Sequence, residues 1–304
     1  MGHTLSWRDV GLIFVVLIIW GTALPVAKMM FTELSPLLAL SFRSCLMALA
    51  ALFFIRSWPS KRILKYLCLF VISSTYIHLT LMWIALEHID ASTFTLLQQS
   101  GTLFSVLIGV FVLKEILNIQ TMIGMVISII GLMIIFGTPN LQGQGFNIAL
   151  IIISSFFGAV ATLTLKKMGK VDIPHLIFYP NALGVPIILA LSLWLEDNHI
   201  KQMMEADWIK LSVILIYQIL FLNLAFVIWQ RLLTRNDMIK VTPFLLLYPV
   251  FGVIFGILLL HEPLTTQLIA GGLFVLGGAG LMTLKSKQKS VKNQDSEIYI
   301  ENKP

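Results

Sequence analysis

Apolar residues run along this chain in long blocks, each closed by a short polar or basic interruption. A helix rises about 1.5 Å per residue, so about 20 apolar residues cover the hydrocarbon core of a bilayer. Runs of that kind predict helices near 10–31, 35–55, 65–87, 91–113 and 120–137. A second set follows near 146–167, 174–195, 208–231, 239–261 and 265–284. Turn chemistry or charge closes the runs, as at Thr138-Pro139-Asn140 and Glu196-Asp197-Asn198. The expected fold class is an all-α integral membrane protein with ten transmembrane helices. Residues 285–304 are polar and charged and are expected to form a disordered cytoplasmic tail. The first run is long enough to span and lacks a small-residue cleavage pattern, so it reads as a helix and not a cleaved leader.

Composition agrees with this pattern. Of the 304 residues 58% are hydrophobic and only 12% charged, against roughly a quarter charged in a soluble domain. The net charge of +6 does not point to nucleic acid, because the basic residues sit in short clusters between apolar runs. They act instead as a topology signal. With the N-terminus inside, 17 of the 21 Lys and Arg fall on the inner side. Lys201 and Lys210 lie outside, and Lys28 and Arg43 lie within spans. Acidic residues populate the outer turns: Glu33, Glu87, Asp90, Glu196, Asp207 and Glu262. Both termini are therefore expected to be cytoplasmic, in the inner (plasma) membrane. Cys45 and Cys68 fall in apolar runs and are expected to pack as small hydrophobes.

The chain also resembles itself at an offset of 147 residues. Phe104 aligns with Phe251, Gly109 with Gly256, Glu115 with Glu262, Gln120 with Gln267, Gly124 with Gly271 and Gly131 with Gly278. Trp20-Gly21 and Phe157-Gly158 mark the matching first helices, and the loop 198–207 absorbs the extra length of the second half. Two units follow, 1–137 and 146–284, each with five helices. An odd number makes the two halves inverted relative to each other. Inverted repeats build alternating-access carriers with a site at their interface. Taken alone, the repeat is also compatible with a duplicated scaffold. The paired glycines predict close approach of the fifth and tenth helices.

Several residues form a recognisable set. They are Trp20-Gly21 with Lys28, Pro36 with Arg43, Leu96-Leu97-Gln98, Leu113-Lys114-Glu115, Ile228-Trp229, Val241-Thr242-Pro243, and His261-Glu262-Pro263. In order and spacing they resemble the EamA-type ten-helix branch of the drug/metabolite transporter superfamily, most nearly its exporters of cysteine and O-acetylserine. The first helix departs from that pattern at Thr22 to Pro25. The resemblance implies export of a small polar metabolite, amino acids or their derivatives, with no cofactor. It also implies proton coupling, and it allows a homodimer. Import of a nucleotide-derived or vitamin-like compound, and a receptor or scaffold role, remain as alternatives.

Candidate binding residues follow from the expense of polarity in lipid. Arg43 lies almost midway through the second helix, where a planar guanidinium can hold a carboxylate. Lys28 lies near the outer end of the first, and neither cation has an evident carboxylate partner within the spans. His78 can relay a proton or bond a neighbouring helix. Gln98, Asn181 and Asn223 offer amides suited to an amino-acid backbone, and Tyr248 lies on a helix nearly equivalent to that of Gln98. Trp20 and Tyr217 can supply apolar walls. Glu115 and Glu262 are expected to cap helix ends. Walker, zinc-protease and nucleophile-elbow motifs are absent from the sequence, so neither ATP hydrolysis nor an enzymatic reaction is expected.

Overall fold

The computed structural model describes residues 6–55, 58–113, 119–137, 141–168, 171–235, 244 and 247–283, and among these there are helices and turns but no strand. Glu115 and the tail lie outside the described residues. Helix α1 (Trp7–Lys28) starts where the Ser6 hydroxyl accepts from the Asp9 amide at 3.1 Å, a side-chain cap for an otherwise orphaned N–H. α2 (Pro36–Leu52) begins on Pro36, whose missing N–H is harmless in a first turn. α3 (Lys61–Val71) runs through a π segment, Ile72–Leu79, into α4 (Thr80–His88). Then come α5 (Ala91–Leu97), α6 (Ser100–Leu113) and α7 (Ile119–Phe136). α8 (Gly145–Met168), α9 (Ile173–Leu195) and the short α10 (His199–Glu205) follow. α11 (Trp208–Tyr217) passes through a second π segment, Gln218–Leu222, into α12 (Asn223–Arg235). α13 (Tyr248–Leu260) and α14 (Thr266–Thr283) complete the described chain.

By length and composition, six segments can cross a membrane: Trp7–Thr32, Ile63–His88, Ala91–Val112, Gly145–Leu165, Ile173–Leu195 and Trp208–Trp229. Four shorter apolar helices accompany them: Pro36–Leu52, Met122–Ile135, Tyr248–Leu260 and Thr266–Leu281. Large apolar side chains such as Phe111, Leu193, Val213 and Leu273 stand exposed, as lipid permits and water does not. Cys45 and Cys68 are free and exposed on this surface, so they do not fill the interior as their apolar context implied.

The run 91–113 is not one straight helix. It breaks at Gln98-Gln99, where Gln99 donates to the Leu96 carbonyl at 3.1 Å and Gly101 to that of Gln98 at 3.0 Å, three residues back in place of four. The π segments also depart from straight helices, and polar side chains serve the carbonyls they disturb. Ser74 donates to Phe70 at 2.6 Å and Thr80 to Thr75, five residues back, at 3.0 Å. Inserted side-chain bonds of this kind are an ordinary cause of helix distortion.

The closest helix pairings join the two halves of the chain: α7 with α14, α2 with α9, α1 with α13 and α6 with α8. Glycine makes the first pairing tight. A methyl group on Gly131 would stand 2.6 Å from the Val275 nitrogen, inside contact distance. Ser128 then donates to the Val275 carbonyl at 3.3 Å. Small residues thus supply what lipid withholds, since association in a bilayer rests on close packing. The larger apolar core, with Met30, Leu34, Leu37, Trp83, Leu86 and Phe94, fills the interior near the acidic turns. A smaller one joins α1 to α12 through Ile13, Val16, Leu17, Ala225 and Trp229.

Candidate substrate cavity

A cavity of about 640 Å³ lies between the halves, lined by residues of α1, α2, α3, α4, α8, α9, α12 and α13 together with Gln98 and Gln99 at the helix break. It extends from Trp20, midway along α1, to Leu165 and Leu176 near the basic-end turns of α8 and α9. Its walls are mostly Ala23, Leu24, Met47, Phe70, Met82 and Phe226, and its polar groups are Gln98, Gln99, Asn181, Asn223, Tyr248 and the Trp20 indole. Among the described residues, no charged side chain lines it. Mostly apolar walls with a few convergent polar groups are the usual make-up of a small-molecule site.

Local structure puts these groups there. At the break after Leu97, two successive glutamines line one space. Gln98 donates through Nε2 only to the Met82 sulfur at 3.4 Å, a weak acceptor. Asn223 follows directly on the second π segment and donates to the Ile219 carbonyl at 2.7 Å. Asn181 donates to the Ile177 carbonyl at 2.7 Å, one turn back on α9.

Five of the nine candidates named from sequence, Trp20, Gln98, Asn181, Asn223 and Tyr248, thus line one space. Gln99, the neighbour of Gln98, lines it as well, and the two methionines were not anticipated. A second glutamine beside Gln98 was visible in sequence, but the break at that point was not.

The other four candidates stand outside this cavity. Arg43 sits one helical turn from Met47 on α2, with its guanidinium 5.8 Å from the centroid of the Trp83 ring. Its buried Nε has no hydrogen-bond partner among the described residues. Arg43 thus lies one helical turn from a lining residue, Met47, without itself lining the cavity. His78 packs on α8, its Nδ1 within 2.8 Å of the Ser154 carbonyl and 2.9 Å of the Ser154 hydroxyl. The Tyr217 hydroxyl lies 2.5 Å from that of Thr22, joining α11 to α1.

Lys28 requires a correction, because it does have a carboxylate partner. Its ammonium donates to the Ile89 carbonyl at 2.6 Å and lies 3.9 Å from Glu262. Hydropathy assigned Glu262 to a loop, whereas the fold buries it to 7% exposure. There it accepts from the amides of Ala91 at 2.5 Å and Ser92 at 2.8 Å, capping α5. His261 takes a left-handed conformation (φ 53°) to turn the chain inward, and Gly256 leaves room for the carboxylate.

Two more carboxylates act at this end. Glu196 accepts from Leu37 at 2.7 Å, Leu38 at 3.1 Å and the hydroxyls of Ser35 and Ser192, capping α2. Glu33 accepts from Lys210 at 2.7 Å and from the Asp207 amide at 3.0 Å. Those contacts hold the Glu33 carboxyl well below the usual range, at about 2. Apart from the Ser192 bond, each of these carboxylate bonds crosses between the halves, so this end is closed.

Comparison with known proteins places this arrangement. A "Probable amino-acid metabolite efflux pump" of Salmonella typhimurium LT2 is 27% identical over 286 residues, spanning 90% of this chain and 94% of that protein. Its namesake in Escherichia coli K12 is 23% identical over the same length and shares. "Uncharacterized transporter YoaV" of Bacillus subtilis 168 is 26% identical over 288 residues, 91% of this chain and 97% of its own. A solved crystal structure shares the fold with a TM-score of 0.62 at 14% identity, covering 92% of this chain and 99% of that one. The pattern of the EamA-like transporter family matches residues 8–137 and again 145–284. With two tandem matches over almost all of its helices, the chain is a multi-pass membrane transporter of the EamA-like transporter family.

Proposed function

We propose that the protein is a secondary transporter that exports small zwitterionic metabolites, amino acids or their derivatives, across the inner membrane by alternating access. The observation that carries this reading is the uncharged cavity with amides and a tyrosine drawn from both halves of the chain. A net-neutral ligand brings no net charge into such a site, and amides offer hydrogen bonds to both an ammonium and a carboxylate. The efflux named in two relatives supports the direction.

In this reading the ten apolar helices all cross the bilayer as two inverted five-helix units, 1–137 and 146–284, with the basic end cytoplasmic. The structure then corresponds to the state closed on the outside. Arg43 engages the substrate carboxylate as the acidic end opens, since it lies one helical turn from the lining residue Met47. Gln98 and Tyr248 hold the ligand meanwhile. Lys28 serves the outer closure, and coupling is to protons.

Uptake of radiolabelled amino acids into proteoliposomes tests the proposal, with and without a pH gradient, comparing wild type, Arg43→Ala and Gln98→Ala. Saturable uptake that both variants lose while remaining folded supports it, and dependence on the gradient supports coupling. If wild type moves no amino acid, the cargo assignment fails. If Arg43→Ala moves it equally well, the role of Arg43 fails.

A further inference from the structure

We infer that the cavity has polarity of its own, with Asn223 and Asn181 forming an acceptor subsite that reads the substrate's ammonium group. The inference rests on the zwitterion reading above and adds which wall receives which end.

Asparagine normally offers a ligand both donors and an acceptor. Here the fold removes that choice. Asn223 Nδ2 donates to the Ile219 carbonyl at 2.7 Å and to the Met47 sulfur at 3.4 Å, so both N–H bonds are engaged. Turning the amide over would set Oδ1 against the Ile219 carbonyl oxygen, lone pair against lone pair. The orientation is thereby fixed by the network, and Oδ1 remains without a donor among the described residues. Asn181 Nδ2 donates to the Ile177 carbonyl at 2.7 Å, which fixes the amide the same way round although its second N–H stays available, and its Oδ1 accepts no bond among the described residues. Both asparagines line the cavity. Two amide oxygens that accept no bond among the described residues, in a space with no carboxylate among its described lining residues, suit a group rich in N–H donors, and an ammonium has three.

The lining residues from the first half of the chain supply groups of complementary character. The Trp20 indole is a donor only, and Gln98 Nε2 rests on the Met82 sulfur, a bond that any carboxylate oxygen replaces with a stronger one. Arg43, one helical turn from Met47, carries five further donors on the same half of the chain. The second half therefore takes the ammonium and the first half the carboxylate. Selectivity follows from the fixed oxygens. An analogue without the ammonium leaves two acceptors desolvated and unpaired, which sites of this kind reject strongly.

Competition binding to the full-length protein in nanodiscs tests this. The probes are the proteinogenic amino acids, their 2-hydroxy analogues, which lack the ammonium, and ethylammonium. Wild type is expected to prefer an amino acid over its 2-hydroxy analogue by roughly ten- to a hundred-fold. Asn223→Leu and Asn181→Leu should bring that ratio near one. Gln98→Leu should weaken both ligands alike and leave the ratio unchanged. Because the readout is a ratio within one variant, a loss of folded protein does not imitate it. An unchanged ratio in both leucine variants, or a wild type indifferent to the ammonium, overturns the inference while the transporter reading stands. If wild type binds neither amino acids nor ethylammonium, the zwitterion reading falls, and this subsite with it.

Discussion

The two ends of the molecule solve opposite problems with different chemistry. At the acidic end three glutamates reach across the boundary between the halves: Glu262 onto α5, Glu196 onto α2, and Glu33 onto Lys210 and the start of α11. Directly beneath them the larger apolar core fills the interior. Towards the basic end the halves part around a cavity whose polar groups among the described residues are neutral, with Gln98 donating to a thioether. A carboxylate on a helix N-terminus meets two or more amides and the positive end of the helix dipole, so it ties elements firmly. Gln98, resting on a thioether, keeps a donor that a stronger acceptor can take over. Charged, multiply bonded groups lie where the structure is closed, and neutral ones line the cavity.

Breaking the strongest tie should have the largest effect. Glu262→Ala removes two backbone bonds and leaves Lys28 without its carboxylate, which is expected to destabilise the protein by about 3 kcal/mol, lowering its thermal midpoint in detergent. In a background with Cys45 and Cys68 replaced by alanine, Met30→Cys should react slowly with an impermeant maleimide, because Met30 is fully buried. Adding Glu262→Ala should speed that reaction at least about tenfold, the factor for each 1.4 kcal/mol of lost closure. An unchanged rate would separate the glutamate from closure.

Glu196→Ala comes next, at about 2 kcal/mol, by loss of the α2 cap. It should expose the same cysteine, since α2 forms one wall of that core. Tyr217→Phe should cost about 1 kcal/mol through the bond to Thr22. Affinity for the transported ligand should stay unchanged, because Tyr217 stands outside the cavity; a shift in affinity would place it in the site.

The smallest effect belongs to the exposed Glu33–Lys210 pair. Its carboxyl is held at about 2, below the ordinary 4.5. A depressed carboxyl stabilises the fold above its unfolded value and loses that contribution as pH falls through the folded one. The difference in thermal midpoint between wild type and Glu33→Gln should therefore be present at neutral pH and disappear between pH 4.5 and 2. It should amount to about a degree, as for a screened surface pair.

Hydropathy alone located the apolar helices, because about 20 consecutive apolar residues leave a chain few alternatives to crossing lipid. Spacing of like residues was also legible. Gly124, Gly131, Gly271 and Gly278 announced the contact of α7 with α14, since only small residues admit backbones at that distance. Five of the cavity's polar groups were named for the same kind of reason: amides and aromatics with polar tips are costly in lipid unless they face something polar.

What tertiary structure decided was direction and partnership. The break at Gln98-Gln99 carries no Pro and leaves hydropathy unchanged, so nothing along the chain shows where the two amides aim. Lys28 and Glu262 are 234 positions apart in sequence, and their meeting depends on how the two halves fold together. Arg43 was legible as a buried charge, yet its resting place over Trp83 was not. Sequence fixes how polar each position is and how often polarity recurs, quantities that are local. Which carbonyl engages the Asn223 amide, and which wall keeps a free oxygen, depends on backbone geometry at a π segment and on neighbours from distant helices, and only the assembled structure sets those.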